Sequence, residues 1–311
     1  MEISQQAQTT SEEELDLFLD LSPALAQKRR SQGRIIFDRF TGNRSAIVGG
    51  IFLIAMFIFC FAGPLFWKYY PTLIPDNVET IRFTGPVIAH PFGTDWIGRD
   101  EMARAIAGGQ ISLMVALIST SLAIVLGILI GSFAGFYGGI IDNLLMRFTD
   151  VFLTIPLYLL LFVLSATFTD GSPFSVVVLI GIFSWTTAAR LVRGEFLAHR
   201  EREYVLAART IGAKNLSLMF RHILPNAVGP IIVNATLLVG ANIILESVLS
   251  YFGFGIRDPN PSWGNMVAAG QGYYDQAPWL VFAPALLIFL TVLSFNVVGD
   301  GLRDALDPHM T

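Results

Sequence analysis

The sequence is poor in charge and in cysteine. Only 14% of its 311 residues are charged and 53% are hydrophobic, whereas ordinary soluble domains carry about 25% charged residues. The single cysteine, Cys60, excludes a disulfide within the chain, and the four histidines lie far apart, so no Cys/His metal cluster is expected. This composition excludes an ordinary soluble domain and predicts a membrane protein.

Lysine is scarce as well. The three lysines are Lys28, Lys68 and Lys214, and none follows a glycine. A Walker A loop ends in Gly-Lys-Ser/Thr, so the chain cannot hydrolyse ATP by that route. The sequence also lacks a recognisable pairing of a nucleophile with a base. We therefore expect a non-catalytic chain that binds no cofactor or metal of its own.

The first twenty residues, MEISQQAQTTSEEELDLFLD, are acidic and polar. A secretory signal would have a basic start followed by a short apolar stretch, which this segment lacks. The first apolar run begins only near Ala46. These features predict a cytoplasmic tail over residues 1–43, partly disordered, with a short helix around Glu12–Leu25.

Six stretches are uncharged and long enough to cross a bilayer, which takes about 20 apolar residues. Backbone groups in lipid must be hydrogen-bonded within the segment, so such spans are helices. The alternating segments of a membrane barrel are absent. The predicted fold is an all-α polytopic membrane protein with six transmembrane helices. The predicted spans are Ala46–Trp67, Ser112–Tyr137, Val151–Phe168, Phe174–Ala189, Ala227–Leu245 and Ala277–Val298.

Basic residues indicate the orientation. They concentrate in the N-terminal tail and between the fourth and fifth spans, while Tyr69–Ile111 and Ser250–Gln276 hold only four, with more acidic residues than basic ones. With six spans, both basic regions fall on one side, which the positive-inside rule assigns to the cytoplasm. We expect a multi-pass membrane protein with both termini cytoplasmic.

Two features of the spans concern packing and charge. Gly127, Gly131 and Gly135 recur every four residues in the second span, a spacing that allows another helix to approach closely. Ionisable residues at membrane depth are functional candidates, but here they lie at span ends, which favours interfacial or interhelical pairing. These residues are Arg147, Asp150, Arg190 and Glu246.

The extracytoplasmic segment GTDWIGRDEMARAIAGG also has two interpretations. Asp95, Asp100 and Glu101 suggest a calcium site, but the segment lacks the spaced oxygen series of a calcium loop. We favour a turn at Gly93–Asp95 followed by an amphipathic helix that is capped near Asp100 and ends at Gly108.

A charged, alanine-rich block, EYVLAARTIGAKNLSLMFRHILPN, occupies residues 203–226 between two apolar segments. Its helical spacing predicts two short amphipathic helices joined at Gly212, the second capped by Asn215 and stopped by Pro225. The predicted apolar faces are Tyr204, Ala207, Ala208 and Ile211, and Leu216, Met219, Phe220 and Ile223. Either the helices pack on the ends of the spans, or one face lies in the groove of a partner.

This block resembles the cytoplasmic EAA loop of ABC importer permeases, whose pattern is E-A-A, three residues, G, nine residues, I-x-L-P. Ala207, Ala208 and Gly212 fall in register, and Leu224–Pro225 follow at the family's distance. Leu206 stands where the family has its glutamate, and the sequence leaves open whether Glu203, one turn earlier, serves instead.

The resemblance is closer still to the C-type subunits of oligopeptide, dipeptide and nickel permeases. It covers roughly Arg34 to Pro308. The further stretches that carry it are HPFGTDWIGRDEMARAIAGGQISL (90–113), LSYFGFG (249–255), SWG (262–264) and FNVVGDGLRDALDP (295–308).

The resemblance implies a type I ABC importer permease that forms half of a translocation path for peptides. The membrane it implies is the bacterial or archaeal plasma (inner) membrane. Its implied partners are a homologous permease (as a heterodimer), two cytoplasmic ATPase subunits that hold ATP and Mg, an extracytoplasmic substrate-binding protein, and membrane lipid; no nucleic acid is expected. The coupling helices would meet an ATPase through Glu203, Ala207, Ala208, Gly212, Ala213, Lys214, Asn215 and Leu216.

We expect three regions: the tail 1–43, the first transmembrane helix with its extracytoplasmic segment 44–111, and the core permease domain 112–311 with the EAA-like loop 190–226. Alternative cargoes within the same transporter class are nickel chelates, glutathione and oligosaccharides. A different class, an ATP-independent channel or secondary transporter, would need polar residues deep within the spans, and these are scarce.

Overall fold

The computed structural model describes residues 32–306. All the regular elements in this range are helices, with only isolated bridges at Val87–His90 and Thr94–Asp100. The predicted all-α class is confirmed, while the predicted helix around Glu12–Leu25 lies outside the described residues.

The helices are α1 (Gln32–Gly42), α2 (Arg44–Phe66), α3 (Val78–Ile81), α4 (Glu101–Tyr137), α5 (Gly139–Thr154), α6 (Leu157–Phe168), α7 (Pro173–Phe183), α8 (Trp185–His199), α9 (Glu203–Thr210), α10 (Asn215–Ser217), a π-helix (Leu218–Ile223), α11 (Leu224–Tyr251), α12 (Trp263–Gln271) and α13 (Trp279–Leu306).

Four continuous helical stretches are long and apolar enough to cross a membrane. They are α2, α4, α13 and the run Asn215–Tyr251, which joins α10, the π-helix and α11. Two further pairs are bent: α5 and α6 meet at 82°, and α7 and α8 at 40°. By length and composition the described residues thus provide four spans, or up to six if each bent pair is one span.

The start of α4 differs from the prediction. Asp100 caps the helix as expected, because its Oδ1 accepts the Ala103 N–H at 2.7 Å. The predicted end at Gly108 is wrong, since the helix continues without a break to Tyr137. Gly108 serves packing instead: a methyl group there would lie 3.2 Å from the backbone of Ser262.

The block between α8 and α11 also differs from the prediction. Pro225 does not stop the second helix; it lies in the first turn of α11, directly after the π-helix. A proline is tolerated in the first turn of a helix because a backbone N–H at that position has no acceptor within the helix, so its absence costs nothing. Asn215 is the first residue of α10 rather than its cap, and the cap position is Lys214. The block therefore runs directly into a span.

Helix α4 is the centre of the bundle and packs against α2, α7, α8 and α11. Gly127, Gly131 and Gly135 lie on its contact with α8. A methyl group at Gly127 would fall 2.6 Å from Ala188 Cβ, and one at Gly135 would fall 2.6 Å from the Arg193 carbonyl oxygen. The three glycines therefore let the two backbones approach to a distance that any side chain would prevent.

The end of the bundle that carries residues 67–100 is called the loop end, and the end that carries residues 200–223 the block end. At the loop end, Asp100 joins three elements. Besides capping α4, it accepts the indole N–H of Trp67 at 2.8 Å, and its Oδ2 lies 2.6 Å from His90 Nδ1. The end of α2, the connecting loop and the start of α4 are thereby fastened together.

Replacement of Gly135 by alanine should destabilise the protein, because the new methyl group would collide with the α8 backbone. Overpacking of this kind costs about 1–3 kcal/mol. The matched control is Gly194→Ala on α8 itself, where a methyl group meets nothing within 4 Å and helix propensity favours alanine by about 1 kcal/mol. Thermal melting in detergent should give a lower midpoint for Gly135→Ala only; equal midpoints would contradict the packing role.

Candidate functional site

The block, defined here as residues 203–223, comprises α9, a turn, α10 and the π-helix. The turn depends on Gly212, whose φ of +86° lies in the left-handed region that favours glycine. The Gly212 N–H donates to the Arg209 carbonyl and the Ala213 N–H to the Ala208 carbonyl, which closes α9 in the manner of a glycine C-cap. No atom would meet a methyl group at Gly212, so the backbone conformation alone requires glycine.

The inner face of the block is apolar and packs on the bundle. Five of its side chains are buried together with residues of α4, α8 and α11 in one cluster. Burial of each of the four larger side chains contributes about 1.5–3 kcal/mol, so the block is fixed to the spans as a unit. The block residues in this cluster are Val205, Ala208, Leu218, Met219 and Ile223, and the bundle residues are Phe136, Val192, Phe196, Ala227 and Ile231.

The outer face of the block is also apolar. Ile211 is 87% exposed and Leu216 57% exposed, and Tyr204, Leu206 and Phe220 are exposed as well. Exposed basic residues lie among them. A patch of this kind on a short helical element is typical of an interaction site. The basic residues of the outer face are Arg209, Lys214 and Arg221, and Arg202 is exposed directly before the block.

The predicted faces of the block helices are only partly those observed. In α9 the structure buries Val205 and Ala208 and leaves Tyr204, Ala207 and Ile211 exposed. The reason is that α9 carries apolar residues all round, so spacing alone could not identify the side that meets the bundle. In the second segment Met219 and Ile223 are buried, whereas Leu216 and Phe220 are exposed.

The residues predicted to contact an ATPase do not all lie on the outer face. Ala208 is buried and packs inward, and Ala213 is half-buried against the same inner cluster. The other six are exposed: Glu203, Ala207, Gly212, Lys214, Asn215 and Leu216. Glu203 lies in the first turn of α9, where the helix dipole favours a carboxylate, and Leu206 lies in the middle of the helix at 47% exposure.

Two ion pairs tie α8, the helix that precedes the block, to α5. The Arg193 guanidinium donates to Asp142 at 2.6 Å, and Arg190 donates to Asp150 at 2.6 Å. For Asp150 and Arg190 the expected interhelical pairing of span-end charges is thus seen, and the structure shows that they pair with each other. The Arg193–Asp142 pair is the less exposed of the two, so solvent screens it less.

A polar layer inside the bundle joins α4 to α11. Glu246, expected at a span end, is fully buried and accepts hydrogen bonds from Ser112 at 2.8 Å and Ser250 at 2.7 Å. One turn earlier on α11, Asn242 binds Ser119 and Thr120 of α4. Sequence reasoning missed Asn242; the available signal was an amide side chain inside an apolar span, which Asn242 shares with Asn234.

Sequence reasoning also missed an open groove of about 500 Å³ between α11, α12 and α13. Its walls are mainly apolar, and three segments far apart in the chain form it. The polar side chains among its lining are Ser247, Tyr251 and Asn296. Within residues 32–306, no group of three or more His, Cys, Asp and Glu side chains could hold a metal ion.

Comparison with known proteins gives the class of this chain. The family model for the inner membrane component of binding-protein-dependent transport systems matches residues 127–311, more than half of the chain. The chain therefore belongs to this family of membrane transport subunits. A second model, for the N-terminal transmembrane domain of oligopeptide transport permease C, matches residues 31–90.

Individual relatives show which kind of transport subunit the chain resembles. The chain is 39% identical over 287 residues to the oligopeptide transport system permease protein OppC of Bacillus subtilis, covering 92% of each chain. It is 38% identical over 281 residues to the dipeptide transport system permease protein DppC of Alkalihalophilus pseudofirmus, covering 90% of this chain and 91% of that one. OppC of Salmonella typhimurium is 38% identical over 291 residues, with 91% and 94% covered.

Proposed function

We propose that this chain is a permease subunit of an ATP-binding cassette importer and forms half of a membrane path for di- and oligopeptides. The observation that carries the proposal is the match over almost the full length to permeases named for oligopeptide and dipeptide transport. Nickel chelates, glutathione and oligosaccharides are the alternative cargoes of the same transporter class.

The chain acts without catalysis of its own, and ATP and Mg belong to two separate ATPase subunits. The block supplies the contact with one of them. Its outer face offers exposed apolar side chains, and its inner face is fixed to three long helices of the bundle. A partner that grips the outer face and moves therefore carries the spans with it as a rigid body.

The distribution of charge supports the orientation. The block end holds the basic residues of the outer face together with Arg34, Arg39 and Arg44, which lie near the start of α2. The positive-inside rule assigns such an end to the cytoplasm. The loop end then faces outward and meets a substrate-binding protein, and a homologous permease completes the path as the second half of a heterodimer.

The three regions of the chain proposed here are those expected from the sequence. Residues 1–43 form the N-terminal tail, of which 32–42 are helical in α1. Residues 44–111 hold α2, the loop-end segment and the start of α4, and residues 112–311 form the permease core with the loop 190–226. Helix α4 starts at Glu101, so the boundary at residue 111 lies inside this helix. It separates two roles of one helix and not two separate elements.

Purification of the whole complex tests the cargo. Mass spectrometry of the compounds released from the substrate-binding protein should find peptides of a few residues, and the same peptides should stimulate ATP hydrolysis by the reconstituted complex. The control is a mixture of the free amino acids that make up the recovered peptides, which should not stimulate ATP hydrolysis. Recovery of a nickel chelate, glutathione or an oligosaccharide instead would contradict the peptide assignment and leave the permease assignment standing.

The contact with the ATPase predicts a strong effect of Ile211→Glu. Burial of an isoleucine side chain contributes about 1.5–3 kcal/mol, so its loss should weaken ATPase association at least about tenfold. The control is Ile88→Glu at the loop end, because Ile88 is 99% exposed and Ile211 is 87% exposed. Co-purification of the ATPase with each variant measures the effect. Equal ATPase recovery from both variants would argue against docking on the outer face.

Cysteine labelling tests the orientation. Cys60 is buried and should not react, so single cysteines placed at Ile88 and Lys214 report the two ends. A membrane-impermeant maleimide should label Ile88→Cys in spheroplasts, and Lys214→Cys only after the membrane is opened. Labelling of Lys214→Cys in sealed spheroplasts would reverse the proposed topology.

A further inference from the structure

Asn242 lies in α11, nine residues before its end, and is 1% exposed. Its side-chain N–H groups donate to Thr120 Oγ1 at 2.9 Å and to Ser119 Oγ at 3.3 Å. Its Oδ1 accepts the Ser184 hydroxyl at 3.1 Å. One amide therefore binds α4 on one side and the junction of α7 and α8 on the other.

Ser184 occupies a special point of the backbone. It is the single residue between α7 and α8, where the two helices are bent by 40°. Such a break in a span is a place where motion can be absorbed, because the helical hydrogen bonds are interrupted there. The Asn242 amide oxygen accepts the hydroxyl of Ser184 and so fixes the serine side chain at this break.

Two of the helices that meet at Asn242 are the two that flank the block. Helix α8 leads into the block, and α11 continues from it. At the block end the inner cluster joins them through Val192 and Ile231. Asn242 lies 11 residues beyond Ile231, which is about 16 Å along the helix. The two flanking helices are thus joined at two separate levels.

The Asn242 side chain lies in the interior of the bundle, where its hydrogen bonds restrict the relative position of the helices most. In a membrane interior, a polar side chain that loses its partners has no water to replace them. All the hydrogen bonds given above for Asn242 are to side-chain hydroxyl groups of other helices. Relative sliding of α8, α11 and α4 would break them together, which makes the arrangement resist such sliding.

We propose that Asn242 is a positioning residue for transport. It holds α8 and α11 in a fixed relation, so that displacement of the block reaches the bundle and is not absorbed at the break around Ser184. The proposal rests on the proposed function in one respect, namely that an ATPase displaces the block.

The test compares Asn242→Ala with Asn234→Ala in the reconstituted importer. Asn234 lies on the same helix, and its Oδ1 is buried without a hydrogen-bond partner in the described part of the chain, which makes it a matched control. Asn242→Ala should keep its ATP hydrolysis but transport at least about fivefold less peptide per ATP, the lower range of typical coupling between sites. Asn234→Ala should transport as much peptide per ATP hydrolysed as the protein without a substitution.

Variants at Ser184 separate positioning from simple stability. Ser184→Thr keeps the hydroxyl and should keep the transport ratio, whereas Ser184→Ala should lower it as Asn242→Ala does. If Asn242→Ala fails to fold, Thr120→Val is the milder variant that removes one of its partners. A transport ratio for Asn242→Ala, or for Thr120→Val in its place, that equals the ratio of Asn234→Ala would overturn the proposal.

A second measurement needs neither ATPase nor substrate. Hydrogen exchange of the chain in lipid nanodiscs should be faster at residues 183–185 in Asn242→Ala than in Asn234→Ala, because the break has lost its tie. Unchanged exchange there would overturn the positioning role. If the complex without any substitution shows no ATP-driven uptake, the proposed function itself is contradicted, whatever the exchange result.

Discussion

The contact between α4 and α8 determines how the rest of the molecule is placed. Lipid offers no hydrophobic push between helices, so their association depends on close packing and interhelical hydrogen bonds. Gly127, Gly131 and Gly135 provide the close packing, because each presents bare backbone to α8. Once α8 lies against α4, Val192 and Phe196 form the apolar floor on which the block rests. The position of the block is therefore set by residues that have no side chains.

The block has two apolar faces with different roles in the structure. The inner face is buried with the ends of α4, α8 and α11, so it is part of the core of the bundle. The outer face is exposed although it is comparably apolar, with Ile211 and Leu216 projecting from it. A helix pair that is apolar on both sides and covered on one is suited to join a membrane domain to a second protein.

Much of the fold could be predicted from the sequence. Apolar length located the four continuous spans, but it did not indicate the bends inside the predicted spans Val151–Phe168 and Phe174–Ala189. The spacing of three glycines identified the packing face of α4, and Asp100 marked the start of that helix. These features depend on local sequence, which is why they could be read directly. The docking role of the outer face is still a prediction, since it concerns a protein that lies outside this chain.

Other features depend on contacts between distant segments and could not be predicted. Gly108 lies inside α4 with the backbone of Ser262 close to it, and no local signal distinguishes such a packing glycine from a helix end. Val205 is buried because of where α4 and α8 lie, not because of its spacing in α9. The partners of Asn242 lie 58, 122 and 123 residues away in sequence, and the groove between α11, α12 and α13 likewise assembles from remote segments.

The π-helix at Leu218–Ile223 makes this segment tolerant of a change in chain length. A π turn holds about one residue more than an α turn, so these six residues turn the chain about as far as five residues of an α-helix would. Loss of one residue here is therefore taken up by conversion of the π-helix to an α-helix, and the outer face keeps its direction. Loss of one residue from the start of α11, where no extra residue is held, would instead turn the whole block by about 100° relative to the span that follows.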